Sequence, residues 1–155
     1  MSKLVVDATG NDLTYRIIGA AMKVHNNLGP GYKEEVYEKA LATELQNQNI
    51  AVQCQYPVEV SYGDVQAALF YLDLFVEEQV AVEVKAFSHQ LTNDELAQVI
   101  NYLKATGAPI GLLFNFGRRA LEKRRVFPGR NTDRSIQRLG RDNVVRSNLP
   151  DPSKK

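Results

Sequence analysis

The chain has 155 residues, 44% of them hydrophobic, and a formal charge of +1. That length suits one well-cored domain rather than two, and no apolar run approaches the ~20 residues that a bilayer-spanning helix needs. A lone Cys54 excludes an intramolecular disulfide and, with His25 and His89 as the only histidines, gives no zinc cluster.

The near-neutral total conceals an asymmetry. Residues 1–116 carry 7 Lys and Arg against 14 Asp and Glu, whereas residues 117–155 carry 12 against 4. A basic end on an acidic body suggests a polyanion partner or an electrostatic tether, a solvated tail being the plain alternative. The opening MSKLVVDATGNDL has no signal-peptide core, so the expected location is cytoplasmic.

Residues 1–11 read as a lead-in. Asn11 or Asp12 can cap a helix from about Leu13, whose apolar positions (Leu13, Ile17, Ile18, Ala21, Met22, Val24, Leu28) recur at helical spacing. Gly29-Pro30-Gly31 ends it, and His25 in its last turn suits the helix dipole better than catalysis. A second helix is predicted from Tyr32 to Asn47, with Val36, Tyr37, Ala40, Leu41 and Leu45 inward. Glu34 falls on or beside that inner face, where it either compensates the helix dipole or leans towards the sheet as an acid. Glu35 and Glu38 are expected to point outward.

Ala51 to Tyr62 alternate as a strand, with Cys54 as a small core residue and Pro57 demanding an edge or a bulge. Gly63-Asp64 turns the chain into a hairpin over Ala68 to Ala86. In that hairpin Phe70, Leu72, Leu74 and Val76 share one face, and Glu77 to Gln79 form the loop. A three-residue loop pairs Val76 with Val80 and sets Asp73 opposite Glu83, with Lys85 on the same face as Glu83. Opposed carboxylates destabilise a hairpin, and a hard divalent cation such as Mg²⁺ relieves the conflict. The competing reading is a solvated surface salt-bridge cluster, which contributes little. Apolar residues on both faces of the hairpin favour a buried sheet, where charges are rare unless paired or metal-bound.

Thr92 with Glu95 fits a capping box, so a third helix runs to Gly107 and projects Gln98 and Tyr102 together. Ile110 to Phe116 is an apolar run of strand length, and Lys123 to Phe127 suggests one short strand more. Residues 130–155 are expected to form a mobile tail, with one fragile helical turn near Ile136 to Leu139.

The stretch from Gly31 to Tyr37, GYKEEVY, spells the motif that names the GxxExxY protein family, and the preceding VHNNLGPG resembles its usual approach. Asp73 followed by Glu83-Val84-Lys85 is similar to the split core of the PD-(D/E)XK nuclease superfamily. Gln98 and Tyr102 match the QxxxY element of a subset of those nucleases. The resemblance covers residues 7–127, with one departure: Leu72 stands where a proline would precede Asp73. It implies an α/β restriction-endonuclease-like core, a mixed central β-sheet flanked by helices. Asp73 and Glu83 would be ligands of Mg²⁺ (or Mn²⁺), Glu34 a supporting acid, and Lys85 the catalytic lysine. Gln98 and Tyr102 would line the site and position DNA or RNA.

The division expected is a nuclease-like domain at 1–127 and a basic tail at 128–155. Arg118 and Arg119 open the Arg-rich segment that would supply charge for nucleic-acid binding. A homodimer would help a small nuclease cut both strands. The alternative is an inactive nucleic-acid-binding or protein-interaction module of the same fold. A small-molecule-binding protein has little support, since no glycine-rich phosphate loop occurs.

Overall fold

A computed structural model describes residues 11–128. The expected lead-in at 1–10 and the tail with its turn at Ile136 to Leu139 lie outside the described residues. Within them the order is α1 (Asn11–Leu28), α2 (Glu34–Asn47), β1 (Val52–Tyr62), β2 (Val65–Val76), β3 (Val80–Lys85), α3 (Asn93–Thr106), β4 (Ile110–Asn115) and β5 (Glu122–Val126). The expected elements are all present. β2 begins three residues before the predicted start, and α2 begins two residues after it.

The strands lie side by side in chain order, β1-β2-β3-β4-β5. Neighbours are antiparallel except β3 and β4, which run parallel because α3 crosses over between them. The result is a mixed sheet with helices on both faces, the α/β restriction-endonuclease-like arrangement. Among the described residues, its two edges are β1 and β5. Pro57 therefore sits on an edge strand, where a missing backbone donor is tolerated, and the bulge lies further on between Val60 and Ser61.

Two apolar layers hold the sheet. On one face Leu13, Ile17, Ala21 and Val24 of α1, with Tyr37, Leu41 and Leu45 of α2, pack on Val80, Val82, Val84, Leu112 and Phe114. On the other, Ala97, Val99, Ile100 and Leu103 of α3 cover Phe75, Ala81 and Leu113. Each fully buried aliphatic side chain contributes about 1.5–3 kcal/mol relative to exposure. Helix α1 ends where Gly29 takes a left-handed φ of 69° and donates to the His25 carbonyl at 2.8 Å. The capping box of α3 forms as expected, Thr92 accepting from Asp94 N–H while Glu95 accepts from Thr92 N–H.

Cys54 is a correction. It is exposed, because β1 is an edge strand that its neighbours cover only in part. A second correction concerns β2. Leu72 joins the α3 layer while Leu74 joins the α1/α2 layer, although strict alternation would give both one face. The strand changes sides at Asp73.

Candidate functional site

The β2–β3 pairing runs from Val76↔Val80 to Leu74↔Val82 and stops there. Asp73 and Glu83, the next positions, face each other as the loop length predicted. The backbone ladder then gives way to side chains. Val84 N–H donates to Asp73 Oδ2 at 2.8 Å, and Asp73 N–H donates to Glu83 Oε1 at 3.4 Å. Both acids are buried, at 8% and 4% exposure. Lys85 continues the same face and sets its Nζ 3.6 Å from Glu83 Oε2. A solvated salt-bridge cluster does not fit that burial.

Helix α2 supplies acids from above this fork. After Gly31, the Tyr37 hydroxyl donates to the Gly29 carbonyl at 2.5 Å and accepts from Tyr32 N–H at 3.2 Å. The Tyr37 ring stacks on Phe116 with centroids 4.7 Å apart. These contacts fix the first turn of the helix against the sheet. Glu34, its first residue, then accepts a hydrogen bond from the backbone of Ala86 and feels the charges of Lys85 and Asp73. Glu34 thus leans towards the sheet.

Glu38 is the acid that the sequence reading placed wrongly. Far from pointing outward, it hydrogen-bonds the Asp73 side chain and accepts from Gln55 Nε2 at 3.1 and 3.2 Å. The signal was available, since Glu34 and Glu38 are i,i+4 neighbours and share a helix face. Glu35, in contrast, is exposed as expected. Gln55 gave no sequence signal at all.

On the α3 side, Gln98 Nε2 donates to the Tyr102 hydroxyl at 3.1 Å. The charges of Glu83 and Asp73 reach Tyr102, which burial pushes up to about 12. Arg118 and Arg119 are not drawn into this group. Arg118 lies 3.9 Å from Glu122, its carbonyl meets His25 Nε2 at 2.8 Å, and Arg119 is exposed. His25, buried against Phe116, is a structural residue. Asn115, the register partner of Lys85 and Glu122, was also missed. Its Oδ1 accepts from Phe87 and Gly117 N–H, and its Nδ2 donates to the His89 carbonyl and Glu122, which pins the chain as it leaves Lys85.

The electrostatics of the group are one-sided. Among the described residues, Glu34, Glu38, Asp73 and Glu83 act on one another, and the one cation among them, Lys85, pairs with Glu83 and acts on Glu34. Burial, then the Asp73 charge, pushes Glu83 up to about 8 against the pull of Lys85. Burial and the hydrogen bond to Asp73 push Glu38 up to about 8, and burial raises Glu34. Among the described residues, no three His, Cys, Asp or Glu side chains are already gathered at metal-ligand spacing. Each acid is turned instead to a protein donor. The donor set still fits a hard divalent cation: carboxylate oxygens with surplus negative charge, and neither sulfur nor imidazole among them. A shallow groove between α1 and α2, lined by Val24, Leu28, Ala40 and Thr43, shares no residue with the site.

No protein of curated function matches the sequence. Among solved structures, the crystal structure of SSO0001 is similar, with 16% identity and a TM-score of 0.49. The match covers 75% of this chain and 59% of that one, so the chain spans about three fifths of the length of the protein it matches. Residues 11–126, from α1 to the end of β5, match the family model of the PD-(D/E)XK nuclease superfamily. By that match the chain belongs to the PD-(D/E)XK nuclease superfamily.

Proposed function

We propose that the chain is a divalent-metal-dependent nuclease that hydrolyses phosphodiester bonds of DNA or RNA at the β2–β3 fork. The observation that carries this reading is the convergence of buried Asp73 and Glu83 beside Lys85. A binding module gains nothing from carboxyls held at such a cost in desolvation and repulsion. Asp73 and Glu83 would hold Mg²⁺ or Mn²⁺, with Glu34 supporting them. The chemistry such a cation supplies is a water of lowered pKa and a polarised phosphoryl oxygen.

The chain's own residues do the rest. Lys85 orients the attacking water from beside Glu83, and its ammonium offsets charge developing on the phosphorane. Tyr102 and Gln98, already bonded to each other, line the α3 side and position the nucleic acid. The resemblance to the GxxExxY family supports the same assignment, since Glu34 and Tyr37 of that motif build the α2 side of the fork. The division into a domain at 1–127 and a basic tail at 128–155, with Arg118 and Arg119 at its approach, belongs to this proposal, as do cytoplasmic location and a homodimer for double-strand cleavage.

The deciding experiment incubates the purified chain with single- and double-stranded DNA and RNA, in Mg²⁺, Mn²⁺ or chelator, beside Asp73→Asn. Metal-dependent cleavage that D73N lacks is the expected result. Nucleic-acid binding without cleavage under every condition would favour the inactive module instead.

A further inference from the structure

The geometry points to Gln55 as a positioning residue that holds Glu38 against Asp73, so that Glu38 serves divalent-cation binding at the fork. This inference rests on the metal-dependent reading above.

Three observations converge on it. The β1–β2 register runs through Cys54↔Leu74 and Tyr56↔Leu72 but skips the position between them, Gln55 opposite Asp73. At that position Gln55 takes φ +52°, the left-handed region that a residue with a β-carbon rarely adopts. Finally, the side-chain amide of Gln55 reaches both acids, Glu38 Oε1 and Oε2 at 3.1 and 3.2 Å and Asp73 Oδ1 at a longer 3.5 Å.

Core packing does not explain the strained backbone, because Gln55 is exposed on an edge strand. Glycine would adopt the same φ without steric cost, so what the residue adds is its amide. A neutral amide is the suitable donor here. It bridges two carboxyls without cancelling their charge, whereas a lysine or arginine at the same place would compete with a cation. Glu38 comes from α2 and Asp73 from β2, and Gln55 of β1 touches both.

The test uses the full chain, Gln55→Gly, Glu38→Gln and the double variant. Mn²⁺ affinity is read by calorimetry, and Tm is read in chelator. Q55G should leave the metal-free Tm unchanged, since relief of the strained φ offsets the added chain entropy, and should weaken Mn²⁺ binding about 10-fold or more. E38Q should weaken it similarly, and the double variant should bind no worse than the weaker single. Q55A, measured beside them, should show the same loss and guards against a misfolded Q55G. Wild-type Mn²⁺ affinity in Q55G or Q55A, with or without a lower Tm, overturns the inference, as does a double variant that loses the product of the two single effects. If the wild-type chain itself binds no Mn²⁺, the metal-dependent reading falls, and this inference with it. Wild-type binding that Q55G leaves unchanged removes only the role of Gln55.

Discussion

Asp73 Oδ2 accepts the N–H of Val84 at 2.8 Å, at the point where β2 parts from β3. One carboxylate thus replaces the ladder bond that is missing at the fork and stands in the candidate site. The two roles can be separated. Asp73→Asn keeps an acceptor oxygen for Val84 and removes the charge that repels Glu83 and Glu38. In chelator it should be at least as stable as the wild type. Asp73→Ala leaves a buried N–H unsatisfied, which costs about 1–3 kcal/mol, so it should melt several degrees below D73N. Equal melting temperatures for the two variants would show that the bond to Val84 carries no stability.

Among the described residues, Lys85 is the cation that stands beside Glu34 and Glu83. Replacing it with Ala should reduce metal-dependent cleavage at least about 100-fold, with the circular dichroism spectrum unchanged. Retained turnover would remove the lysine from the chemistry.

The acids make metal-free stability depend on pH in a defined direction. Glu83 and Glu38 have folded-state values near 8 against an unfolded value near 4.5, so the folded chain binds the extra protons. Their contribution is complete below about pH 4.5 and is lost as the pH rises through about 8. Thermal melting in chelator should therefore show Tm falling across that window, and Glu83→Gln should flatten the fall. A divalent cation binds the deprotonated acids, so the rise in Tm on adding Mg²⁺ should be larger at about pH 8 than at about pH 5. A rise of the same size at both pH values would show that the cation binds elsewhere.

Gly117 lies against the chain just after Lys85. A β-carbon there would run into the Phe87 carbonyl oxygen and come within 2.6 Å of the Ala86 carbonyl carbon. Backbone cannot step aside as a side chain can. Gly117→Ala should cost about 1–3 kcal/mol and lower cleavage, because residues 86–87 carry the backbone that Glu34 and Asn115 hold. Unchanged melting and activity would show that this segment yields freely.

The basic tail has its own signature. Deleting residues 128–155 should weaken nucleic-acid binding and reduce the salt slope by about 0.9 for each duplex phosphate that the tail neutralises. Titrations at several salt concentrations would reveal it, and an unaltered slope would leave the tail without that role.

Much of this was legible in one dimension. Gly29-Pro30, the Thr92–Glu95 capping box and Gly107 bound their helices through local backbone chemistry. The loop of Glu77 to Gln79 set the register that opposes Asp73 to Glu83, because strand pairing follows from loop length. Lys85 followed from a period of two. Glu38, Gln55 and Asn115 depended on contacts between elements distant in sequence. Alternation assigned Leu72 and Leu74 to one face, whereas the strand turns over at Asp73, opposite a left-handed Gln55. Local propensity and spacing thus determined which elements form and which acids could meet. Only the tertiary structure decided that α2 lies over the fork and that Glu38 joins Asp73 there, because one apolar layer packs α2 and β3 together regardless of their distance along the chain.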